Sequence, residues 1–161
     1  MKYLKNGLLK CKLSFDFDGT LEHKPIQRYA NELIEQGHEV WITTTRFGDD
    51  EKYKRFFHTS TNVDLTNRDL WEIAEELGIP KDRIHFTDMK DKWPFIKTKD
   101  FLWHIDDDYV ENRQILKNTK SLAISSLGNA NWENKCNRII RNAQGDELRK
   151  YLQEEFKKKG D

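Results

Sequence analysis

Short apolar runs alternate with stretches of helical periodicity along this chain, and that alternation constrains the fold more than any other feature. The segments that predict strands are 13–17, 40–44, 84–87, 101–105 and 122–125. Helices are predicted over 25–36, around Tyr53 to Phe57, and over 70–77, 108–118, 131–142 and 146–158. Strands that alternate with helices predict a three-layer, Rossmann-like α/β fold, in which a mostly parallel five-stranded sheet carries helices on both faces.

Length and composition narrow the organisation and exclude several classes of protein. A chain of 161 residues predicts one domain over 1–161. It carries 28 basic and 28 acidic residues, and this balance removes the argument for nucleic-acid binding from bulk charge. Cys11 and Cys136 are isolated, which predicts neither a disulfide framework nor a zinc site. No apolar stretch approaches about 18 residues and the N-terminus lacks a secretory pattern, so we expect a cytoplasmic protein with no membrane partner.

Polar side chains cluster where the predicted strands end, which is where parallel α/β sheets bind ligands. The first strand leads into Asp16-Phe17-Asp18-Gly19-Thr20, the second ends in Thr43-Thr44-Thr45-Arg46, and the fourth runs into Asp106-Asp107-Asp108. Lys90 and Lys92 follow the third strand. Carboxylates gathered at one edge raise one another's pKa unless a cation neutralises them, and oxygen ligands without His or Cys favour Mg²⁺. A hydroxyl and an ammonium group beside them make a site suited to phosphate.

The spacing of the two acids after the first strand predicts a different catalytic role for each of them. Asp16 is ionised at neutral pH and can attack phosphorus as a nucleophile. Asp18, two residues on, can protonate the leaving oxygen and then activate water. Mg²⁺, a lysine and Thr44 would stabilise the charge on the transferring oxygens. Gly19 would let the backbone turn beneath the phosphate, and Thr20, Thr45 and Arg46 are further candidates for contact with the substrate.

These four motifs, in this order, resemble those of the haloacid dehalogenase-like (HAD) phosphohydrolases. Asp16-Phe17-Asp18-Gly19-Thr20-Leu21 is similar to the family's DxDGT motif, and Thr44, Lys92 and Ile105-Asp106-Asp107 are similar to its second, third and fourth motifs. The resemblance implies Asp16 as nucleophile, Asp18 as general acid/base, Thr44 as phosphate ligand and Lys92 as the stabilising cation. It implies a Mg²⁺ site formed by Asp16, the Asp18 carbonyl, Asp106 and a second acid. Lys90 in place of Lys92, and Asp107 or Asp108 as that second acid, stay open.

The spacing between the motifs bears on the substrate. Few residues separate Thr20 from the first helix, and the segment 46–67 is too short for a large inserted domain, so we expect a capless HAD-like domain. Relatives of that type often act on large substrates. Arg46 and the charged, aromatic stretch after it are loosely similar to the phosphatase half of phage-type polynucleotide kinase-phosphatases. The resemblance implies a phosphorylated substrate, either a nucleotide or a nucleic-acid end.

Other interpretations of the same residues are structural or belong to other functional classes. Residues 43–45 can be simple strand formers, 106–108 can cap the next helix, and Lys90 and Lys92 can be surface charges. A catalytically weak module that binds a metal, a hydrolase of small phosphate esters, and a metal-dependent nuclease without a covalent intermediate are the alternatives. The sequence leaves the oligomeric state open.

Overall fold

Five parallel strands form one sheet in the part of the chain that the computed structural model describes, residues 2–57, 66–128 and 130–160. They are β1 (Lys12–Phe15), β2 (Glu39–Thr44), β3 (Ile84–Phe86), β4 (Trp103–Asp106) and β5 (Leu122–Ser125). Their order is β3-β2-β1-β4-β5, with every neighbouring pair parallel. The predicted α/β fold with a parallel five-stranded sheet is confirmed. The strand order reverses at β1, so a crevice opens at the carboxyl ends of β1 and β4.

Helices connect the strands and pack on both faces of the sheet. They are α1 (Lys24–Glu35), α2 (Asp50–Phe57), α3 (Arg68–Leu77), α4 (Trp93–Ile96), α5 (Tyr109–Asn118) and α6 (Trp132–Gly160). Pro25 lies in the first turn of α1, where its missing N–H costs nothing, and Gly78 ends α3 in the left-handed conformation.

The alternation of side chains along the strands divides the interior into two parts. Leu13 and Phe15 of β1 point to one face, into the larger apolar cluster with residues of α1, α3 and α6. A smaller cluster of Ile96, Phe101 and Ile115 lies between the sheet and α4 and α5. Ser14 points toward this second face, and its burial there brings polar groups under the edge of the sheet that carries the acidic residues.

Three expectations about elements were wrong. The first strand ends at Phe15, not at residue 17, and Phe17–Leu21 form a turn. The two helices predicted over 131–142 and 146–158 form the single helix α6, because Gly145 weakens a helix by only about 1 kcal/mol and its neighbours hold the chain. Gln144 exchanges two hydrogen bonds with the backbone of Leu9, at 2.5 and 2.8 Å. The fourth strand begins at Trp103 and ends at Asp106, not over 101–105. Its register is set by pairing with both neighbours, and Asp106 pairs with Ser125.

Three further observations complete the description. Cys11 and Cys136 are buried free thiols. The charged segment expected over 46–67 contains the helix α2, as predicted around Tyr53, whereas 58–65 lie outside the described residues. None of the helices within 2–57, 66–128 and 130–160 has both the length and the apolar character needed to cross a membrane.

Candidate functional site

Lys92 joins the acidic residues at the ends of the two central strands. Asp16 follows β1 and Asp106 ends β4, and these strands are neighbours in register. The Lys92 Nζ donates to Asp16 Oδ1 at 2.7 Å and to Asp106 Oδ2 at 2.5 Å. All three side chains are almost completely buried. The structure therefore brings together three of the residues that the sequence selected.

The start of α4 explains why Lys92 and not Lys90 reaches these carboxylates. Lys92 immediately precedes α4, and its backbone N–H donates to Glu111 Oε2 at 3.1 Å. This contact and Pro94 in the first turn fix the direction in which α4 starts. Lys90 lies on the exposed loop before it.

The electrostatics of this cluster follow from burial and charge. Burial raises the pKa of Asp16 well above its ordinary value, and the negative charge of Asp106 adds to the rise while Lys92 opposes it. Burial would also raise the pKa of Asp106, but the hydrogen bond from His104 and the charge of Lys92 hold that pKa well below its usual range. Burial alone would lower the pKa of Lys92, but the two carboxylates outweigh it and raise that pKa. The ammonium stays charged.

A third carboxylate, Asp107, completes an oxygen-rich cluster. Asp16, Asp106 and Asp107 each offer an oxygen, and these oxygens lie within 4.8 Å of one another. Asp107 lies close enough to Asp16 for the two side chains to interact, and burial raises the pKa of Asp107. Two carboxylates in such contact need a proton or a cation between them. When all three carboxylates are ionised, the single ammonium group leaves two negative charges unbalanced, so the donor set fits a hard divalent cation such as Mg²⁺.

Gly19 provides the space that Asp107 occupies. It has a φ of +75°, and a Cβ built on it would lie 2.1 Å from Asp107 Oδ2. The turn Phe17–Leu21 therefore needs glycine both for its backbone conformation and for the close approach of the carboxylate.

A chain of buried hydrogen bonds, which the sequence did not reveal, supports Asp106 from below. The Nε2 of His104 lies 2.8 Å from Asp106 Oδ2, and its Nδ1 lies 2.8 Å from Ser14 Oγ. Ser14 Oγ is 2.8 Å from Thr43 Oγ1. Burial lowers the pKa of His104, which keeps the ring neutral. Because the Asp106 carboxylate only accepts, the proton lies on Nε2, so Nδ1 accepts from Ser14 and Ser14 accepts from Thr43.

The alternation of side chains along a strand could have predicted this series of hydrogen bonds. Ser14 precedes Asp16 by two residues and His104 precedes Asp106 by two, so each polar residue shares a face with the acid that follows it. A polar residue at such a position inside an otherwise apolar strand indicates a partner on the neighbouring strand.

Arg46 connects Asp18 to a residue that the sequence analysis passed over, Asp69. The Arg46 guanidinium donates to both oxygens of Asp18, at 2.7 and 2.9 Å, and to both oxygens of Asp69, at 2.7 and 3.0 Å. It lies over the Phe17 ring, 4.8 Å from the centroid. Burial would lower the pKa of Arg46, but the two carboxylates raise it, and the guanidinium lowers the pKa of Asp69. Arg46 thus fixes the position of Asp18 at the edge of the acidic cluster.

The remaining predicted residues differ in their burial and in their contacts. Thr20 is buried, and its Oγ1 donates to Asp16 Oδ2 at 3.2 Å and lies 3.1 Å from Ser126 Oγ. Thr44 is also buried, and its Oγ1 accepts from the Arg46 backbone N–H at 3.2 Å. Thr45 is half-buried beside it. Asp108 points away, because its carboxylate caps α5 by accepting from the N–H groups of Val110 and Glu111. Of the two open candidates, Asp107 is the one that lies in the cluster.

Comparison of the chain with protein-family models, with curated proteins and with solved structures finds no match. The HAD-like family therefore stays a prediction from the four motifs, and the functional argument depends on the geometry of the site.

Proposed function

We propose that this protein is a Mg²⁺-dependent phosphomonoesterase that works through a phosphoaspartate on Asp16. The observation that carries the proposal is the cluster at the carboxyl ends of β1 and β4, in which Lys92 pairs with the buried carboxylates of Asp16 and Asp106 and Asp107 adds a third carboxylate. Its excess negative charge calls for a cation, and its nucleophile is held by Lys92 and Thr20. The order of the four motifs resembles the order found in HAD-like enzymes, and this resemblance supports the same proposal.

The proposed reaction has two steps, in each of which one bond to phosphorus forms as another breaks. An Asp16 oxygen attacks the phosphoryl group, and the leaving oxygen takes a proton from Asp18. Water then attacks the aspartyl-phosphate, giving its proton to Asp18, and phosphate leaves as the Asp16 carboxylate is restored. Lys92 supplies positive charge beside the reacting oxygens, and the hydroxyl of Thr44 would bind one of them. Arg46 holds the Asp18 carboxylate through both of its oxygens, so Asp18 must release one of these hydrogen bonds to carry the proton.

The residues that would hold Mg²⁺ are Asp16, Asp106 and Asp107, together with the Asp18 carbonyl that the family resemblance implies. A bound Mg²⁺ would neutralise negative charge on the transferring phosphoryl group. The chain of Thr43, Ser14 and His104 would keep Asp106 in one orientation as a ligand.

A surface beside Arg46 supports a nucleotide or a nucleic-acid end as the substrate. Phe47 and Phe56 lie with their rings 5.2 Å apart, and with Lys52 and Arg55 they line a shallow cavity of about 390 Å³. Phe56 is 54% exposed. An exposed aromatic ring, backed by a half-buried one and set among basic side chains, suits the stacking of a base and the binding of its phosphates. Phe47 directly follows Arg46, which holds Asp18, so this surface adjoins the residue proposed to transfer the proton.

The experiment is phosphate release from a panel of phosphate esters, with Mg²⁺ or with EDTA. The panel contains sugar phosphates, mononucleotides and oligonucleotides with 3′- or 5′-phosphates. We expect Mg²⁺-dependent release, and a loss of at least about 10³-fold in kcat for Asp16→Asn. The matched control is Asp91→Asn, an exposed acid in the loop before α4, which should keep full activity.

Each other outcome points to a different conclusion. Turnover of sugar phosphates with no gain for nucleotides would favour a hydrolase of small phosphate esters, and would remove the role of Phe47 and Phe56. Release that survives Asp16→Asn would exclude the covalent step. If no compound releases phosphate although Mg²⁺ still binds, the protein is better described as a metal-binding module. If a nucleotide is preferred, Phe56→Ala should raise KM for it and leave KM for a sugar phosphate unchanged.

A further inference from the structure

Asp69 binds the same guanidinium group as Asp18, although it lies outside the cluster of acids at the strand ends. Arg46 donates from Nη1 to Asp69 Oδ1 at 2.7 Å and from Nη2 to Asp69 Oδ2 at 3.0 Å. It donates from Nη2 and Nε to Asp18 Oδ1 and Oδ2, at 2.7 and 2.9 Å. Both carboxylates are therefore bound through two parallel hydrogen bonds, the geometry that gives pairs with arginine their direction and strength.

These contacts leave Arg46 little freedom. They use all but one of the N–H groups of its guanidinium. Arg46 is only 8% exposed, and its guanidinium lies 4.8 Å from the centroid of the Phe17 ring and 5.9 Å from that of Tyr53. The contacts therefore suit Arg46 to holding Asp18 in one position.

Asp18 depends on Arg46 for the direction of its side chain. That side chain is 53% exposed. Within residues 2–57, 66–128 and 130–160, its carboxylate accepts hydrogen bonds from Arg46 alone. Whatever fixes the guanidinium of Arg46 therefore also fixes the residue proposed to transfer the proton.

Asp69 is itself fixed by the start of α3. It lies in the first turn of that helix, and its Oδ1 also accepts from the backbone N–H of Leu70 at 2.9 Å. Asn67, directly before the helix, is buried, and its Nδ2 donates to the carbonyl oxygen of Phe47 at 2.8 Å. This contact ties the start of α3 to the residue that follows Arg46. Asp69 is thus a fixed anchor for the guanidinium.

The proton that Asp18 carries makes a second anchor necessary. The proton occupies one oxygen, so Asp18 releases one of its two hydrogen bonds to Arg46, whereas Asp69 keeps both. When Asp18 protonates the leaving oxygen, the O–H bond of its carboxyl breaks and an O–H bond forms on the leaving group. The carboxylate can then bind Arg46 through both oxygens again, provided that the guanidinium has not moved.

We propose, on the basis of the proposed phosphatase activity, that Asp69 is a positioning residue that holds Arg46 in place while Asp18 transfers its proton. Asp69 contacts neither the substrate nor the metal in this role. Without the Asp69 carboxylate, Arg46 is held by Asp18 alone, and the two side chains shift together when Asp18 releases a bond. Proton donation is then the step that slows, and it matters most for esters whose leaving oxygen needs a proton.

The test compares two kinds of ester in Asp69→Asn, which keeps the size of the side chain and removes its charge. p-Nitrophenyl phosphate has a leaving group that is stable as an anion, whereas a sugar phosphate or a nucleotide loses an alkoxide that needs the proton. We expect kcat/KM to fall by about 10–100-fold for the alkyl ester and by less than about threefold for p-nitrophenyl phosphate. Asp18→Asn should show the same selectivity with a larger loss. Glu76→Gln, exposed on the same helix, is the matched control and should keep both activities.

A second measurement shows whether Asp69 acts through Arg46. Arg46→Gln removes the cation and should by itself cause the same selective loss. Adding Asp69→Asn to Arg46→Gln should then lower kcat/KM by no more than about twofold further, because residues in one network are not additive. Circular dichroism shows whether each variant is folded. If Asp69→Asn is not, Asp69→Glu takes its place, since it displaces the carboxylate by one methylene group and should show the same selectivity.

Three results would overturn the role of Asp69 and leave the phosphatase in place. Equal losses for both esters would mean that Asp69 supports only the fold. No loss for either ester would mean that Arg46 needs no second anchor. A full additional loss when Asp69→Asn is combined with Arg46→Gln would mean that Asp69 acts by another route. An unaltered protein that hydrolyses neither ester is a separate result, because it removes the proposed function and the role of Asp69 together.

Discussion

Lys92 is buried with its Nζ between the carboxylates of Asp16 and Asp106, and this arrangement ties the stability of the fold to the proposed chemistry. An ammonium group with 2% exposure is costly to desolvate, and only ion pairs of good geometry offset that cost. The same contacts leave the two carboxylates dependent on Lys92. His104 has a comparable role on the other side of Asp106, since it satisfies the same oxygen without adding charge.

Replacing Lys92 therefore tests the cluster at the scale of one side chain. For Lys92→Met, we expect the free energy of unfolding at pH 7 to fall by about 3–5 kcal/mol, because two buried carboxylates lose their partner. Urea unfolding followed by circular dichroism measures this change. Lys90→Met is the control, since Lys90 is exposed two residues earlier, and it should change stability by no more than about 0.5 kcal/mol. Equal effects for the two variants would mean that the ion pairs of Lys92 with Asp16 and Asp106 contribute nothing to the free energy of unfolding.

The turn from β1 to α1 is the element that places the acidic groups relative to one another. Asp16 is extended, Asp18 is extended with φ −67° and ψ 125°, and Gly19 is left-handed. The turn points the Asp18 side chain toward Arg46 and opens the space for Asp107 beneath Gly19. A single residue without a Cβ thus decides whether the carboxylates of two strands meet.

Gly19→Ala should displace Asp107 from the cluster, because the new Cβ would occupy the position of its carboxylate. We expect a loss of about 1–2 kcal/mol from the left-handed backbone and, in addition, a loss of Mg²⁺ binding measured by calorimetry. Gly78→Ala separates the two effects, since Gly78 has a φ of +80° with no atom within 4 Å of the added Cβ. It should lose similar stability and still bind Mg²⁺. If Gly19→Ala bound Mg²⁺ normally, Asp107 would not be a ligand.

At the scale of the whole molecule, the sheet order brings together side chains that are far apart in sequence. Asp16 and Lys92 are separated by 76 residues and meet only because β1 and β4 are neighbours and α4 begins at the same edge. A cation that binds such a site binds the folded chain and not the unfolded one. Its binding should therefore raise the stability of the entire fold.

The measurement for this expectation is Tm as a function of Mg²⁺ concentration by calorimetry. At about 100 times its Kd, Mg²⁺ should add about 2.7 kcal/mol to the free energy of unfolding. Asp107→Asn should remove most of that response, whereas Asp91→Asn, on the exposed loop, should retain it. A Tm that does not depend on Mg²⁺ in the unaltered protein would contradict the proposed metal site.

The sequence by itself determined the class of the fold and the edge of the sheet where the acidic cluster lies. Strand and helix periodicity is local, so it can be read from neighbouring residues, and the rule for parallel sheets then selects the strand ends. The sequence could not show whether Lys90 or Lys92, or whether Asp107 or Asp108, belongs to the cluster. A shift of one or two residues at the start of a helix changes the direction of a side chain completely. The break expected between 142 and 146 was wrong for a related reason, since the contacts of Gln144 with Leu9 hold the helix there.

Only the tertiary structure decided which side chains share a partner. The pairing of Arg46 with Asp18 and Asp69, and the chain from Thr43 to His104 and Asp106, join residues from different elements, so no local pattern contains them. The tertiary structure also decided that Leu148, Leu152 and Phe156 of α6 are exposed, because the same spacing of apolar residues is found in buried helices. Local propensity determines which segments form helices and strands. Burial depends on the whole chain, and it determines which partners the polar and apolar side chains contact.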